Sequence, residues 1–387
     1  MGGNSSLRAL VVSVQSSDTG TSAYKIKEKA EDFIVEEITK DYGVLSVNKK
    51  YRFQGGRGEY LLCVMKKRNW DTLLAVEKIA KQLNIPNRSV SFAGTKDKRS
   101  ISSQLISIKG VRKEELKKFN VENIELVPLA YRDRGVFIGD LVGNHFIIRV
   151  YSDREPRRMD KFPNFFGEQR FGVIRPITAD VGESIVKKDF EKAVMTYLTA
   201  VDEREDENSI KARKKLAEEM NFKEALKYFP KRLRFERKML VSLSRQPRNY
   251  LRALRMLPRS LLKMFVHAYQ AKLFNEFLAE CIKRGLDYET GPIYGYALEL
   301  ENELEQEILE RHGLTLEDFR VNNLHDLRSK GTRRKLWIEI GDMKIVKEAE
   351  GRYLLDFSLP KGSYATVVID CLFNNCQQIG TGVELPR

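Results

Sequence analysis

A chain of 387 residues, 42% of them hydrophobic, is long enough for two domains, or three, and for a large buried core. Its 68 lysines and arginines against 54 acids leave a formal charge of +14, which suits a polyanion and makes nucleic acid the first partner to consider. Four cysteines with no Cys-x-x-Cys pair, four scattered histidines and no apolar run of bilayer length argue against a disulfide scaffold, a zinc site and a membrane span.

The start, Met1-Gly-Gly-Asn-Ser-Ser6, has the look of a myristoylation signal, but nothing downstream supports a membrane role. No secretory signal is visible, so a cytoplasmic protein is expected. A short apolar patch, Leu10–Val14, precedes a polar link, and Phe33-Ile-Val-Glu36 reads as a strand bounded by charge. Tyr51–Met65 alternates around Gly55-Gly56 and ends in a buried strand, Tyr60–Met65. From Trp70 to Leu83 the period becomes helical: Leu73, Val76, Ile79, Ala80 and Leu83 share a face, Asp71 is the cap, and Asn84-Ile-Pro86 ends the helix.

A short strand, Ser89–Ala93, then leads into Gly94-Thr-Lys-Asp-Lys-Arg99 and a loop that runs to Gln104, before the apolar Leu105–Ile108. A glycine, three cations and one carboxylate, Asp97, are offered from a strand end. Cations flanking a carboxylate favour its charged form, as a nucleophile or general base requires. A solvated turn has the same composition. The order Gly-Lys-Ser/Thr is missing, so this is not a phosphate-binding P-loop.

Lys113–Phe119 reads as a short helix, and Ile124–Ala130 and His145–Tyr151 as strands, the latter introduced by Gly143-Asn144. Strands and helices interleave without a strict βαβ repeat, which predicts an α+β fold with a mixed or antiparallel sheet. Pro163–Gly172 holds three phenylalanines, two glycines, Gln169 and Arg170. Two readings are open: a kit for stacking unpaired bases, or an aromatic plug of the core.

Residues 176–257 are highly charged, with helical stretches at Asp189–Val201 and Ser209–Met220. Arg232, Arg234, Arg237, Lys238, Arg245, Arg248, Arg252, Arg255 and Arg259, interleaved with Phe235 and Tyr250, form a basic run compatible with RNA, although much of such charge is ordinarily a solvated face. Ser260–Arg284 is a long amphipathic helix with Leu262, Phe265, Tyr269, Leu273 and Phe277 as its core stripe and Gly285 closing it. A helix at Glu299–His312 and strands at Leu336–Ile340, Tyr353–Leu359 and Ala365–Ile369 complete the chain. The return to strands suggests that the middle is an inserted domain.

Several segments, in order and spanning most of the chain, resemble the TruD family of tRNA pseudouridine synthases: Lys27–Glu36, Ala93–Arg99 with Gln104, Gly143–Phe146, Asn164–Gly172, Ala268–Asn275 and Leu359–Thr366. The resemblance implies isomerisation of a uridine in tRNA to pseudouridine, at position 13 in the D-stem. It places the catalytic aspartate on Asp97, an active-site Asn144 and a base-stacking Phe146. Lys27, Phe33, Lys96 and Gln104 fall on other positions near the cleft, with Gln169 and Arg170 beside them. It also implies a pseudouridine-synthase catalytic domain, residues 1–172 and 351–387, interrupted by a TruD-specific α/β insertion at 173–350 that carries the basic helical segment. The helix at 260–284 is expected to pack with the catalytic domain. The charged stretch from Thr178 to Pro258 looks like the longer archaeal and eukaryotic variety.

The implied reaction breaks N1–C1′, turns the base and rejoins it through C5, with no change of oxidation state; no metal and no cofactor are expected. The partner is tRNA, no membrane is involved, and a monomer is expected. A base inside folded RNA must be flipped out to be reached. An RNA-binding or RNA-chaperone protein without turnover, or a nucleoside glycosidase, are the competing readings.

Overall fold

The computed structural model describes residues 24–172 and 174–374. The apolar patch Leu10–Val14, Cys376 and both ends of the expected catalytic domain lie outside them. In chain order the elements are β1 (Phe33–Thr39), β2 (Gly43–Val44), β3 (Tyr60–Arg68), α1 (Thr72–Gln82), β4 (Val90–Phe92), β5 (Ile101–Lys109), β6 (Ile124–Arg132) and β7 (Gly143–Tyr151). Seven helices follow: α2 (Thr178–Val186), α3 (Phe190–Thr199), α4 (Glu207–Glu219), α5 (Phe222–Tyr228), α6 (Arg234–Arg245), α7 (Tyr250–Leu254) and α8 (Arg259–Arg284). Then come β8 (Thr290–Ile293), α9 (Glu303–Arg311), β9 (Thr332–Lys335), β10 (Lys344–Ala349), β11 (Arg352–Pro360) and α10 (Ala365–Phe373).

The chain divides into two compact units. One, the sheet unit, holds the described residues up to Phe162 together with Ile338–Asn374; the other, the helical unit, holds Pro163–Trp337. The divisions come earlier in the chain than the expected borders at 172/173 and 350/351. The helix at 260–284 belongs to the helical unit, where Gly182 of α2 lies so close that a Cβ there would meet Phe265 O at 2.0 Å.

The sheet unit is built on a mixed sheet in the order β10-β11-β7-β1-β5-β3-β6, with β2 on β1 and β4 on β5. β1 and β5 run parallel and the other pairs antiparallel. Alternation along β3 sends Leu61, Cys63 and Met65 to the face covered by α1, where they meet Ala75, Val76 and Ile79. Asp71 caps α1 by accepting from the amides of Leu73 and Leu74. On the other face Leu62 and Val64 join Leu45, Ala93, Leu129 and Val136. Gly143 opens β7 where a Cβ would collide with Leu359 O at 2.2 Å, so glycine permits the β7–β11 pairing there.

Two expected elements differ. Ala365–Ile369, with its β-branched Thr-Val-Val-Ile, reads as a strand but lies inside helix α10. Ala365, Val367, Val368, Ile369, Cys371, Leu372 and Phe373 are all buried, and burial around most of the helix overrides β-propensity. The loop expected to reach Gln104 stops at Ser100, because Ile101–Gln104 already pair with β1 and β3.

Candidate active site

All the geometry around Asp97 lies within the sheet unit. Residues 93–100 cross from β4 to β5, and their carbonyls are tied down from below. Gln104 Nε2 donates to Gly94 O at 2.8 Å. Lys67 Nζ donates to Asp97 O at 2.9 Å and Trp70 O at 2.7 Å, and reaches Lys96 O at 3.4 Å. Ser100 Oγ donates to Asp97 O at 2.7 Å. Thr72 Oγ1, at the start of α1, accepts the Lys96 amide at 2.9 Å and donates to Gln104 Oε1 at 3.2 Å. A short loop held at successive carbonyls has little freedom to move its side chains.

Lys67 carries much of this. Its side chain follows Cys63 and Met65 on the inward face, and it is 2% exposed. Burial pulls its pKa down to about 8, against the opposing pull of Asp97 and Asp71. The sequence reading missed it. The signal was present: a lysine two residues beyond Met65 on the alternation of β3 must point inward, and a buried lysine requires acceptors.

Asp97 itself is partly exposed, its side chain at 28%, and its Oδ2 lies 2.9 Å from Lys27 Nζ. Lys27 Nζ also stands 4.1 Å over the centre of the Phe33 ring. One ammonium thus joins the carboxylate to an aromatic floor. Lys27 has φ 61°, the left-handed region that a lysine rarely adopts, at a cost on the order of 1–3 kcal/mol. The segment before it is anchored, with Lys25 exchanging both backbone hydrogen bonds with Tyr151 and Tyr24 donating to Asp370 at 2.6 Å.

The floor is a row across three strands. The Phe33 ring meets Phe146 edge-on at 6.3 Å, and Phe146 stacks on Phe357 at 5.6 Å. Phe33 and Phe357 are 2% and 1% exposed, whereas Phe146 keeps 7%. Asn144, paired in register with Glu37 and Leu359, has a buried Oδ1 without a hydrogen-bond partner. Such an acceptor is costly unless something donates to it.

Two residues expected near the cleft face inward instead. Lys96 is 6% exposed and its Nζ is bound to Glu37 Oε2 at 2.6 Å, while Glu37 Oε1 accepts the Leu105 amide at 3.1 Å. Gln104 has no exposed surface, and both ends of its amide are committed to Gly94 and Thr72. In this arrangement both support the loop from within. The exposed cations of the loop are Lys98 and Arg99. Arg99 lines a groove of about 750 Å³ with Lys27, Lys29, Arg68, Arg149 and Arg352, among others.

Gln169 and Arg170 belong to the helical unit. Gln169 is exposed; the Arg170 guanidinium lies 5.4 Å from the Phe166 ring centre, with a buried Nε lacking a partner. The nearby phenylalanines, Phe165, Phe166 and Phe171, are 3%, 9% and 8% exposed. The core-plug reading holds for them. Asn275 of α8 fixes the segment by accepting the Phe166 amide at 2.8 Å and donating to its carbonyl at 2.9 Å. This joins two of the segments singled out in the sequence. No group of three or more His, Cys, Asp or Glu able to hold a metal occurs among the described residues.

The chain matches the family model of tRNA pseudouridine synthase D (TruD) over residues 12–291 and 288–370. It belongs to the TruD family. A relative from Methanopyrus kandleri, named "Probable tRNA pseudouridine synthase D", is 38% identical over 81% of this chain and 86% of its own length. Another of that name from Methanococcoides burtonii is 33% identical over 90% of this chain and 95% of its own length. A crystal structure of a Methanosarcina mazei protein carrying the TruD name matches with a TM-score of 0.73 at 31% identity, covering 96% of this chain and 98% of that one. Among the described residues no helix is long and apolar enough to cross a membrane.

Proposed function

We propose that this TruD-family chain converts a uridine of tRNA, at position 13 in the D-stem, to pseudouridine, with Asp97 as the catalytic carboxylate. The observation that carries the reading is Asp97 paired with Lys27 on a loop whose carbonyls are held by Lys67, Gln104 and Ser100. A carboxylate that must meet a sugar or base within a fraction of an ångström gains from such support.

In the reaction the N1–C1′ bond breaks, the uracil turns, and C5–C1′ forms. The C5 proton leaves and N1 ends protonated, so atoms and charge balance without an oxidant. Asp97 serves by attack on the sugar or base, or by removing a sugar proton; Lys27 faces the negative charge that develops on the base. Before this the nucleotide must leave its helix. The row of Phe33, Phe146 and Phe357 supplies an apolar floor for it, with Phe146 the most open ring. The partnerless Asn144 Oδ1 is an acceptor suited to the uracil N3–H. The sheet unit is the catalytic unit and the helical unit the insertion. The protein works in the cytoplasm, as a monomer.

The test is pseudouridine mapping on unmodified tRNA transcripts, with wild type and Asp97→Ala at equal binding occupancy. One modified D-stem position, reduced by roughly 10²–10⁴-fold or more in the variant, is the expected result. Binding without pseudouridine in either sample would replace this reading with a non-catalytic RNA-binding one.

A further inference from the structure

The basic run of the helical unit is not uniform once its partners are known. Arg232 is tied to Asp206 and Ser209, Arg237 donates to Leu226 O and Phe229 O at 2.8 Å each, and Arg255 donates to Asn323 O at 2.9 Å. These hold the unit together. Tyr250 donates its hydroxyl to Glu191 at 2.8 Å.

Arg234, Lys238, Arg245, Arg248 and Arg252 are different. All are exposed, and among the described residues none has a carboxylate partner. The only acid between Lys231 and Ser260 is Glu236. It is buried, 2.8 Å from Arg213 and 3.6 Å from Arg175, and is therefore withdrawn from the surface. Positions 234, 238, 241 and 245 follow helical spacing, so Arg234, Lys238 and Arg245 stand in one row about 16 Å long. Phe235 lies beside it, 38% exposed.

The neighbouring helices treat lysine otherwise. On α4, Lys211 pairs with Glu207 at 2.7 Å and Lys215 with Glu219 at 3.6 Å; on α5, Lys227 pairs with Glu224 at 2.8 Å. These three lysines are neutralised within their own helix, while Lys214 and Lys223 stand exposed between them as single charges and not as a row. Leaving five without partners, four of them arginines, costs self-repulsion unless a polyanion supplies the countercharge.

We propose that the outer face of α6 and the following segment to Arg252 is a second RNA-contact surface, which binds the phosphodiester backbone of the substrate independently of the Asp97 site. It rests on the reading that this chain acts on RNA. An anionic membrane is the other polyanion. A helix lying in a membrane needs its apolar face outward, whereas Met239, Leu240 and Leu243 of α6 are buried in the unit. The outer face is mainly cationic, with Phe235 and Val241 partly exposed on it, and guanidinium groups match phosphate oxygens bidentately.

The test compares wild type, Arg234→Gln/Lys238→Gln/Arg245→Gln, and the control Lys211→Gln/Lys215→Gln, each checked for folding by circular dichroism. tRNA binding is titrated across salt, and KM and kcat are measured. Losing three phosphate contacts should reduce the slope of log K against log salt by roughly 2–3, with KM raised, kcat at saturating tRNA unchanged and the control like wild type. A triple variant with the wild-type slope, or a control that loses as much, overturns the proposal. So does a triple variant that loses only binding to phosphatidylserine vesicles and keeps that to tRNA. If wild type forms no pseudouridine while the triple variant loses salt-dependent tRNA binding, the catalytic reading falls and this surface stands.

Discussion

Two cationic regions of this protein use the same side chains in opposite ways. At the Asp97 loop, Lys67 and Lys96 are 2% and 6% exposed and turned inward, one bound to backbone carbonyls and one to Glu37. Along α6, Arg234, Lys238 and Arg245 are exposed and have no carboxylate partner among the described residues. Buried cations are costly, so they persist only where acceptors surround them, and the acceptors are then fixed in place. Exposed cations are cheap and determine no geometry, but they are available to a ligand. A basic sequence therefore contains two populations: one that shapes a site and one that attracts a substrate to it.

The largest effect on stability should come from the aromatic floor. Phe146→Ala removes a ring packed between Phe33 and Phe357 and should cost about 3–5 kcal/mol of folding free energy by chemical denaturation. Phe146→Leu, which keeps much of the volume, should restore most of that stability without restoring turnover. If it restores both, the ring is core alone and the floor has no part in holding a base.

Lys67→Met tests the buried population directly. Freed carbonyls let the loop shift, and turnover should fall roughly 10²-fold while tRNA affinity stays at the wild-type value. A pH arm sharpens this. Lys67 has a native pKa of about 8 against 10.5 for the free side chain. Between these values the unfolded chain binds the proton and the native one does not, so this group's contribution to stability rises with pH across the window. Denaturation midpoints of wild type minus Lys67→Met should show that rise; a flat difference would mean that the lysine is not buried as described.

His145 gives the smallest effect, with the sign reversed. Its hydrogen bond to Glu36 raises its pKa, burial opposes this, and Asp356, 2.8 Å from Nε2, raises it further. A raised native value means stability that is fully present below the unfolded pKa near 6.5 and is lost as pH rises through the native one. In His145→Gln that loss should vanish from the pH profile of thermal stability, with turnover little changed.

Much of the frame was legible in the residues. Helix α1 with its Asp71 cap, the extent of α8, and β6 and β7 follow from periodicity and local chemistry, because each needs only near neighbours in the chain. The single core stripe expected of α8 does not, since from Ala268 to Cys281 that helix is buried nearly all round. Asp97 stood out as one acid among cations between two strands. Its partner Lys27 was reachable only through the family resemblance, being 70 residues away in sequence.

What the sequence determined by itself was the family, the kinds of element and the loop that bears Asp97. What only the tertiary structure decided was which polar residues are inside. Gln104 and Lys96, placed near the cleft by the resemblance, are buried and bound to Gly94, Thr72 and Glu37, and the Pro163–Gly172 phenylalanines are buried too. The apolar run at Ala365–Ile369 became a helix, because a short apolar segment takes the conformation that buries it best. The nine cations from Arg232 to Arg259 look alike in one dimension. They separate only when distant carbonyls and carboxylates are brought beside some of them and not others, which is a property of packing and not of composition.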